Sequence, residues 1–382
     1  MSDPRLRIRQ VADDRDRWAF VKFPWTIYRD DVYWVPPLVT ERRAFIDPRK
    51  NPFFEHSEAA FFLAEHPDGE VIGTIAATVD HNYNAFQEVK AGWFGLFEVI
   101  QEYAVAEALL STARDWVREQ GMSAIQGPVN LSTNGEYALL IEGFDSPPVV
   151  MMTYNPPYYA DFIERFGFGK ARDLYAYLFD ALFLGRDLPR KLVRVAEATL
   201  RESKIRIRKV NMSDWDNEVK RAKAVYNSAW ERLWGFVPMT DAEFDHLAKG
   251  IKSFVDPDLL LIAEDGDRPV GVSVGLPDVN QALLKARPGP SRWSVPWTLL
   301  KFLIYRRSIT IWRGLITGVV EEYRGRGIDA AFFMETAKAA LAKGYTHGEG
   351  SLVLEDNTMM NRLARRLGGQ VYKTYRIYEL SL

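Results

Sequence analysis

The sequence predicts a mixed α/β protein built from two tandem copies of one domain. Three observations carry that expectation: a length beyond one ordinary core, a self-match at a nearly constant offset, and a strand, turn and helix order that recurs in both halves. At 382 residues the chain exceeds a usual single domain. Its 47% apolar and 26% charged residues exclude a collagenous, low-complexity or disordered chain. Lys and Arg total 49 against 51 Asp and Glu, a net charge of −2, so no global field would hold nucleic acid and none is expected as a partner. With no cysteine, disulfides, thiolate catalysis and sulfur-ligated metals are excluded. Met1 to Gln10 is charged, and no uncharged apolar run reaches the roughly eighteen residues of a membrane span, so a cytoplasmic protein is expected.

The repeat is read residue by residue. Arg5-Leu6-Arg7-Ile8-Arg9-Gln10-Val11 returns as Lys204-Ile205-Arg206-Ile207-Arg208-Lys209-Val210 at an offset of 199, alternating apolar and basic side chains as a half-buried strand does. Val35-Pro36 returns as Val237-Pro238, and Ala64-Glu65 as Ala263-Glu264. Gly73, Asp80 and Asn82 return as Gly271, Asp278 and Asn280 at 198. Asn155 with Phe166-Gly167 answers Asn357 with Gly368-Gly369. Between these landmarks, Glu102-Tyr103 pairs with Glu322-Tyr323 at 220, which requires an insertion in the second half, placed near 285–307, and a compensating one at 131–154 in the first. Long insertions in compact domains are more often functional than idle. The expected division is 1–185, a connecting helix at 186–203 marked by Leu188, Leu192, Val195, Ala196 and Leu200, and 204–382.

Each half reads as a strand, two short helices, a hairpin, a strand leading into a long helix, another strand, a helix and final strands. Gly69 and Gly266 sit in the hairpin turns. The long helices are expected at Ala104–Gln120 and Asp329–Lys343, each stopped by a glycine, Gly121 or Gly344.

One stretch carries recognisable chemistry. Val319-Val320-Glu321-Glu322-Tyr323-Arg324-Gly325-Arg326-Gly327-Ile328-Asp329 puts an apolar strand end before a glycine turn that opens a helix, where inward-pointing N–H groups and the helix dipole favour an anion. It resembles the Arg/Gln-x-x-Gly-x-Gly/Ala loop of the GCN5-related N-acetyltransferase (GNAT) superfamily. Glu355-Asp356-Asn357, the helix ending at Leu367-Gly368-Gly369 and the strand Gln370–Tyr378 resemble the second half of that fold. The resemblance covers 204–382 directly and, through the repeat, 5–180. It implies two tandem GNAT-like domains and an acyl-CoA co-substrate, acetyl-CoA or a longer acyl-CoA. The backbone at Val319 and Val320 would pair with pantetheine, Arg324, Gly325, Arg326, Gly327 and Ile328 would hold the pyrophosphate, and Asn357 would match the family's asparagine.

The implied chemistry is direct attack of an amine on a thioester, which needs a base and no covalent nucleophile. Glu321, Glu322 and Glu355 are the candidate bases, set against the plainer reading of solvated loop carboxylates. Asp329 stands where the family has Gly or Ala. Ala364 stands where a tyrosine often serves as general acid, so Tyr372 or Tyr375 from the next strand is expected instead. The first half lacks the loop: Glu102-Tyr103-Ala104-Val105-Ala106 has no glycine and is three residues shorter. That half is expected not to bind CoA in the usual way.

Asn130, Asn134 and Glu136 in the first insertion are candidates for holding a polar amine, against a self-packed loop. His56, His66, His81, His246 and His347 show no ligand spacing, and no metal is expected. Residues 292–307 mix Trp293, Val295, Trp297, Leu299, Leu300, Phe302, Leu303 and Ile304 with Arg292, Lys301, Arg306 and Arg307, a pattern that suits a membrane surface or the covering of an acyl chain, against packing on the other domain. The leading expectation is an acyl-CoA-dependent N-acyltransferase acting on a small-molecule amine, as a monomer or homodimer. The rivals are a transferase resembling the Fem proteins, drawing on aminoacyl-tRNA, and a non-catalytic acyl-CoA or metabolite binder.

Overall fold

The structure, a computed structural model, describes residues 6–180, 190–202, 204–229 and 234–382. They form two compact units: one holds the chain to Leu174 together with 282–306 and 373–382, the other holds 175–281 and 307–372. These units are drawn differently from the linear halves expected at 185 and 204. Each takes its last sheet strand from the end of the other sequence copy. The expected connecting helix is described from Arg190 on; Leu188 lies outside the described residues.

In the first unit the strands are β1 (Arg7–Gln10), β2 (Ser57–Glu65), β3 (Val71–Asp80), β4 (Ala91–Val99), β5 (Ala124–Gly127) and β6 (Leu139–Glu142). The sheet runs β1-β2-β3-β4-β5 and closes on the C-terminal strand β13 (Gln370–Ser381), which β6 also joins. Every pairing but β4 with β5 is antiparallel. Strand β2 alternates its side chains between two cores, and so shows a sheet covered on both faces. Ala60, Phe62 and Ala64 face the long helix α5 (Tyr103–Glu119) through Leu109, Leu110 and Val117. Phe61 and Leu63 face Phe20, Val39 and Ile46, on and beside the short helices α1 (Asp14–Lys22), α2 (Pro24–Ile27) and α3 (Val39–Phe45). Helices α4 (His81–Gln87) and α6 (Tyr158–Phe166) complete the copy.

The second unit repeats this plan. Strand β7 (Gly169–Asp180) contributes its end from Tyr175. The order is β7-β12-β11-β10-β9-β8, with β8 (Ile205–Lys209), β9 (Leu260–Asp265), β10 (Arg268–Pro277), β11 (Ile311–Val319) and β12 (His347–Leu354). Its helices are α7 (Arg190–Glu202), α8 (Trp215–Ala229), α9 (Asp241–Ile251), the long α12 (Ile328–Ala342) and α13 (Thr358–Arg366), while α10 (Asn280–Ala286) crosses the boundary and belongs to the first unit from Ala282 on. The helix between α10 and α12, α11 (Val295–Tyr305), belongs to the first unit. The long helices begin one residue before the expected bounds, and Gly121 and Gly344 follow them with φ of 78° and 84°.

The duplication is explicit in the pairing. Ile8 faces Ala64 and Ile207 faces Ala263, so both copies set the first strand against the hairpin in one register. Arg9 donates twice to Glu65, at 2.8 and 2.7 Å, and reaches Asp16 at 2.6 Å. Arg208 does the same to Glu264, at 2.8 and 2.6 Å, and reaches Glu218 at 2.9 Å. A planar guanidinium satisfied by two carboxylates is costly to build by chance, and here it recurs 199 residues later. Gly73 lies opposite Val99 and Gly271 opposite Val319, each at the last residue of the strand that feeds the long helix.

Gly95 shows how tightly β4 is crossed. A Cβ there would lie 1.9 Å from the Val129 carbonyl oxygen, a backbone atom that cannot swing away. Gly95→Ala is therefore expected to destabilise the protein by about 3 kcal/mol or more. Gly69→Ala, with φ of 89° and open space around the new methyl, is expected to cost only about 1 kcal/mol. Thermal melts of the two variants check the order.

Candidate active site

In the second unit the parallel strands part early. Ile311 pairs with His347, Trp312 with Gly348, Arg313 with Glu349 and Gly314 with Gly350, and there the ladder stops, while β11 continues to Val319 along β10. One residue beyond the last rung is a bulge: Gly275 pairs with Gly314 and Val274 with Ile316, leaving Leu315 as an extra residue on β11. The strand then runs out through Val319 and buried Val320 into a 3-10 turn, Glu321–Tyr323. Arg324 is extended, and Gly325 and Gly327 take φ of 73° and 83°, with Gly327 capping α12. Left-handed backbone of this kind is open to glycine at no steric cost.

That conformation leaves the N–H groups of Gly325, Arg326, Gly327 and Ile328 without an acceptor among the described residues. Donors without partners at a helix N-terminus are the chemistry of an anion seat. Two arginines flank it. Arg326 lies over the Tyr323 ring at 4.5 Å, and the Tyr323 hydroxyl donates to Asp265 at 2.8 Å. Arg324 Nε donates to the Val319 carbonyl at 3.3 Å. Asp329 is exposed on the first turn of α12. Helix α7 backs the turn: Thr199 donates to the Arg326 carbonyl at 2.8 Å, and a Cβ on Gly327 would meet Thr199 Oγ1 at 2.5 Å and Val195 Cγ1 at 2.6 Å.

The expected bases fall in different surroundings. Glu322 is drawn into an exposed ion pair with Arg268 at 2.5 Å, a surface contact. Glu321 is exposed on the same turn. Glu355 follows the end of β12, where its backbone carbonyl accepts from Asn361. Asn357 caps α13, its side chain accepting from Met360 N at 3.1 Å. The buried amide is Asn361, which accepts from the Tyr177 hydroxyl at 2.7 Å. Tyr375 is fully buried in the first unit opposite Leu140.

Tyr372 sits differently. Its hydroxyl is 3.4 Å from Glu349, a carboxylate buried at the last rung but one before the strands part. Glu349 also accepts from Ser351 Oγ at 3.1 Å and faces the buried Arg313 guanidinium at 3.5 Å. The sequence reading missed Arg313 and Glu349. The signal available was a charged residue in each of two apolar strands, 36 residues apart, which only the parallel register brings together.

The first unit has a fork of the same kind. Ala91, Gly92 and Trp93 pair with Ala124, Ile125 and Gln126, and the ladder ends. β4 also bulges, with Leu96 at φ 45° and its N–H held by Asn130 Oδ1 at 2.8 Å. Asn130 donates to Glu136, which takes both guanidinium arms of Arg42 at 2.9 and 3.1 Å. Asn134 N is tied to Ser132 Oγ at 3.1 Å. The polar atoms expected to meet an amine thus brace the bulge. Beyond it stands Glu98, which accepts from the Tyr28 and Tyr159 hydroxyls at 2.9 and 2.8 Å. Burial pushes its carboxyl up to about 7, against the pull of those hydrogen bonds and of Arg42. The entry to α5 has no glycine, and Glu102 caps it through backbone alone. Among the described residues no group of three or more His, Cys, Asp or Glu gathers as a metal would require.

No family model matches the chain. It is 35% identical over 384 residues to the bacterial ceramide synthase of Caulobacter vibrioides, covering 99% of this chain and 98% of that one. It is 33% identical to protein YghO of Escherichia coli, covering 97% and 94%. Among solved structures it resembles a tandem GNAT protein from the clavulanic acid biosynthesis pathway, with a TM-score of 0.55 at 11% identity, covering 98% of both chains. The chain belongs to the bacterial ceramide synthase family, on a tandem GNAT fold. In this tandem GNAT chain the two copies differ beyond the fork: the second has an amide-lined turn, and the first a half-buried acid.

Glu98 makes stability depend on pH. Its folded value lies above the ordinary 4.5, so between these the folded state holds the proton more tightly and stability falls as pH rises. Glu98→Gln removes that loss. It is expected to stabilise the protein by up to about 3 kcal/mol near pH 8 and by little near pH 5, measured by urea unfolding at the two pH values.

Proposed function

We propose that the protein is an acyl-CoA-dependent N-acyltransferase whose acceptor is the primary amine of a long-chain amino alcohol, giving a ceramide-type amide. The observation that carries the transferase reading is the set of amide donors at Gly325 to Ile328 following a forked parallel pair. The acceptor is proposed from the near full-length likeness to the ceramide synthase. On this reading the pyrophosphate lies on the turn between Arg324 and Ile328, and the pantetheine runs back along Val320 and Val319. The thioester then reaches the bulge at Leu315, about 17 Å of extended strand from Val320.

The polar cluster at the fork supplies the proton chemistry. The amine attacks the thioester carbonyl, forming the C–N bond as the C–S bond breaks. Glu349 takes the ammonium proton, Tyr372 gives its own to the departing sulfur, and Glu349 restores it across their hydrogen bond. Atoms and charge balance as amide plus free thiol. Carboxylates at Glu321 and Glu355 stay in the proposal as groups near the mouth, and Asn357 as the cap that fixes α13.

Two measurements test this. Gly325→Asp sets a carboxylate among the amide donors at a site with open space around it. It is expected to weaken acyl-CoA binding in calorimetry at least about tenfold, with Gly325→Asn close to wild type and the melting temperatures alike. Unchanged binding would end the loop assignment. Glu349→Gln is expected to lower kcat for thiol release, with a long-chain acyl-CoA and a long-chain amino alcohol, by about a hundredfold or more. An unchanged rate would end the assignment of Glu349 as the base.

A further inference from the structure

Helix α11 is built inside out. Thr298 is buried, Val295 and Phe302 are half-buried, and these three lie on one narrow stripe facing the first unit. Val295 packs against the core that holds Phe20, Val39 and Leu131, and the Trp25 indole donates to the Pro288 carbonyl at 3.0 Å just upstream. The outward face carries Trp293, Trp297, Leu299, Leu300, Leu303 and Ile304, with Trp293 74%, Trp297 69% and Ile304 64% exposed. Leaving such side chains in water forgoes about 1.5–3 kcal/mol each, which a chain able to turn them inward would recover.

The charge around this helix is one-sided. From Val279 to Val320 the sequence holds no Asp or Glu and, besides the buried Arg313, the basic residues Lys285, Arg287, Arg292, Lys301, Arg306 and Arg307, all exposed, in a chain whose net charge is −2. A second copy is disfavoured as the occupant, because a two-fold contact would set this basic patch against itself. At eleven residues the helix is about 16 Å long, too short for a hydrocarbon core of about 30 Å. No described helix is long and apolar enough to cross a membrane.

We propose that α11 is a membrane-docking helix that lies in the plane of an anionic lipid surface. Trp293, Trp297, Leu300 and Ile304 enter the headgroup boundary, and Arg292, Lys301, Arg306 and Arg307 pair with lipid phosphates. Insertion of the apolar face and attraction of the basic residues act together, each too weak alone to hold a protein firmly. The inference stands on the helix itself; the reading above adds that the acyl chain and the amine are both lipidic.

The test is co-sedimentation of the full chain with vesicles of equimolar phosphatidylcholine and phosphatidylglycerol, and with phosphatidylcholine alone. The wild type is expected to pellet with the anionic vesicles, less with the neutral ones, and less at high salt. Trp297→Ser/Leu300→Ser/Ile304→Ser is expected to bind at least about tenfold more weakly with an unchanged melting temperature, since these side chains are exposed. Wild type left in the supernatant with anionic vesicles at low salt would overturn the proposal. So would triple-variant binding equal to wild type, or a wild-type dimer, seen by light scattering, that the triple variant dissolves without any vesicle binding. Thiol release with short-chain soluble substrates separates the two claims: vesicle binding without turnover fails the catalytic reading and leaves the docking helix standing.

Discussion

A parallel pair of strands set beside antiparallel neighbours is the constraint on which the rest depends. Antiparallel neighbours are joined by turns, but β11 and β12 run the same way and need a crossover, supplied by α12. The rungs end at Gly314 and Gly350, so the outer part of β11 keeps one neighbour only. A crossover helix must start with donors that its own turn cannot satisfy. At Gly325 and Gly327 the backbone leaves those donors without an acceptor among the described residues. Fork, bulge and amide turn are therefore successive consequences of one topological choice, and the proposed thioester path follows them in order.

The two copies inherit that choice and use it differently. After Trp93 and Gln126 the first fork opens as the second does, and its bulge carries Leu96 in the left-handed region. Three fewer residues before α5 remove the glycine turn, and the space beyond the bulge is taken by Glu98 with Tyr28 and Tyr159. A half-buried acid with tyrosine donors is a poor seat for a diphosphate, because like charge would meet like charge. One copy presents donors and the other a carboxyl.

What the sequence made legible was local or repeated. The offset of 199 appears in the structure as two identical guanidinium clamps, Arg9 with Glu65 and Arg208 with Glu264, because alternation fixes which side chains share a face. Helix ends were readable from Gly121 and Gly344, since few other residues accept the left-handed conformation that stops a helix. The exchange of β7 and β13 was not readable: either strand has the pattern to close either sheet, and only tertiary pairing decides. Glu98 carries no local mark either. In Phe97-Glu98-Val99 it reads as the solvent side of a strand, and its partners come from 70 residues before and 61 after. Glu322, by contrast, looked well placed from its strand end, and the nearby Arg268 turns it to the surface.

Averages hid the remaining feature. A net charge of −2 argues correctly against a global field, yet it is the sum of a basic stretch with no acid over Val279 to Val320 and an acidic excess elsewhere. Electrostatic attraction at a surface acts within about 10 Å, so the local sum governs docking and the global sum governs little. The same holds for hydrophobicity: an apolar helix reads as core until its inward stripe is seen to contain only Val295, Thr298 and Phe302. Packing satisfies that stripe and leaves the larger face unexplained. A surface that is apolar, basic and held on the folded body from behind has the form of a lipid contact, and its chemistry suits substrates that reside in lipid.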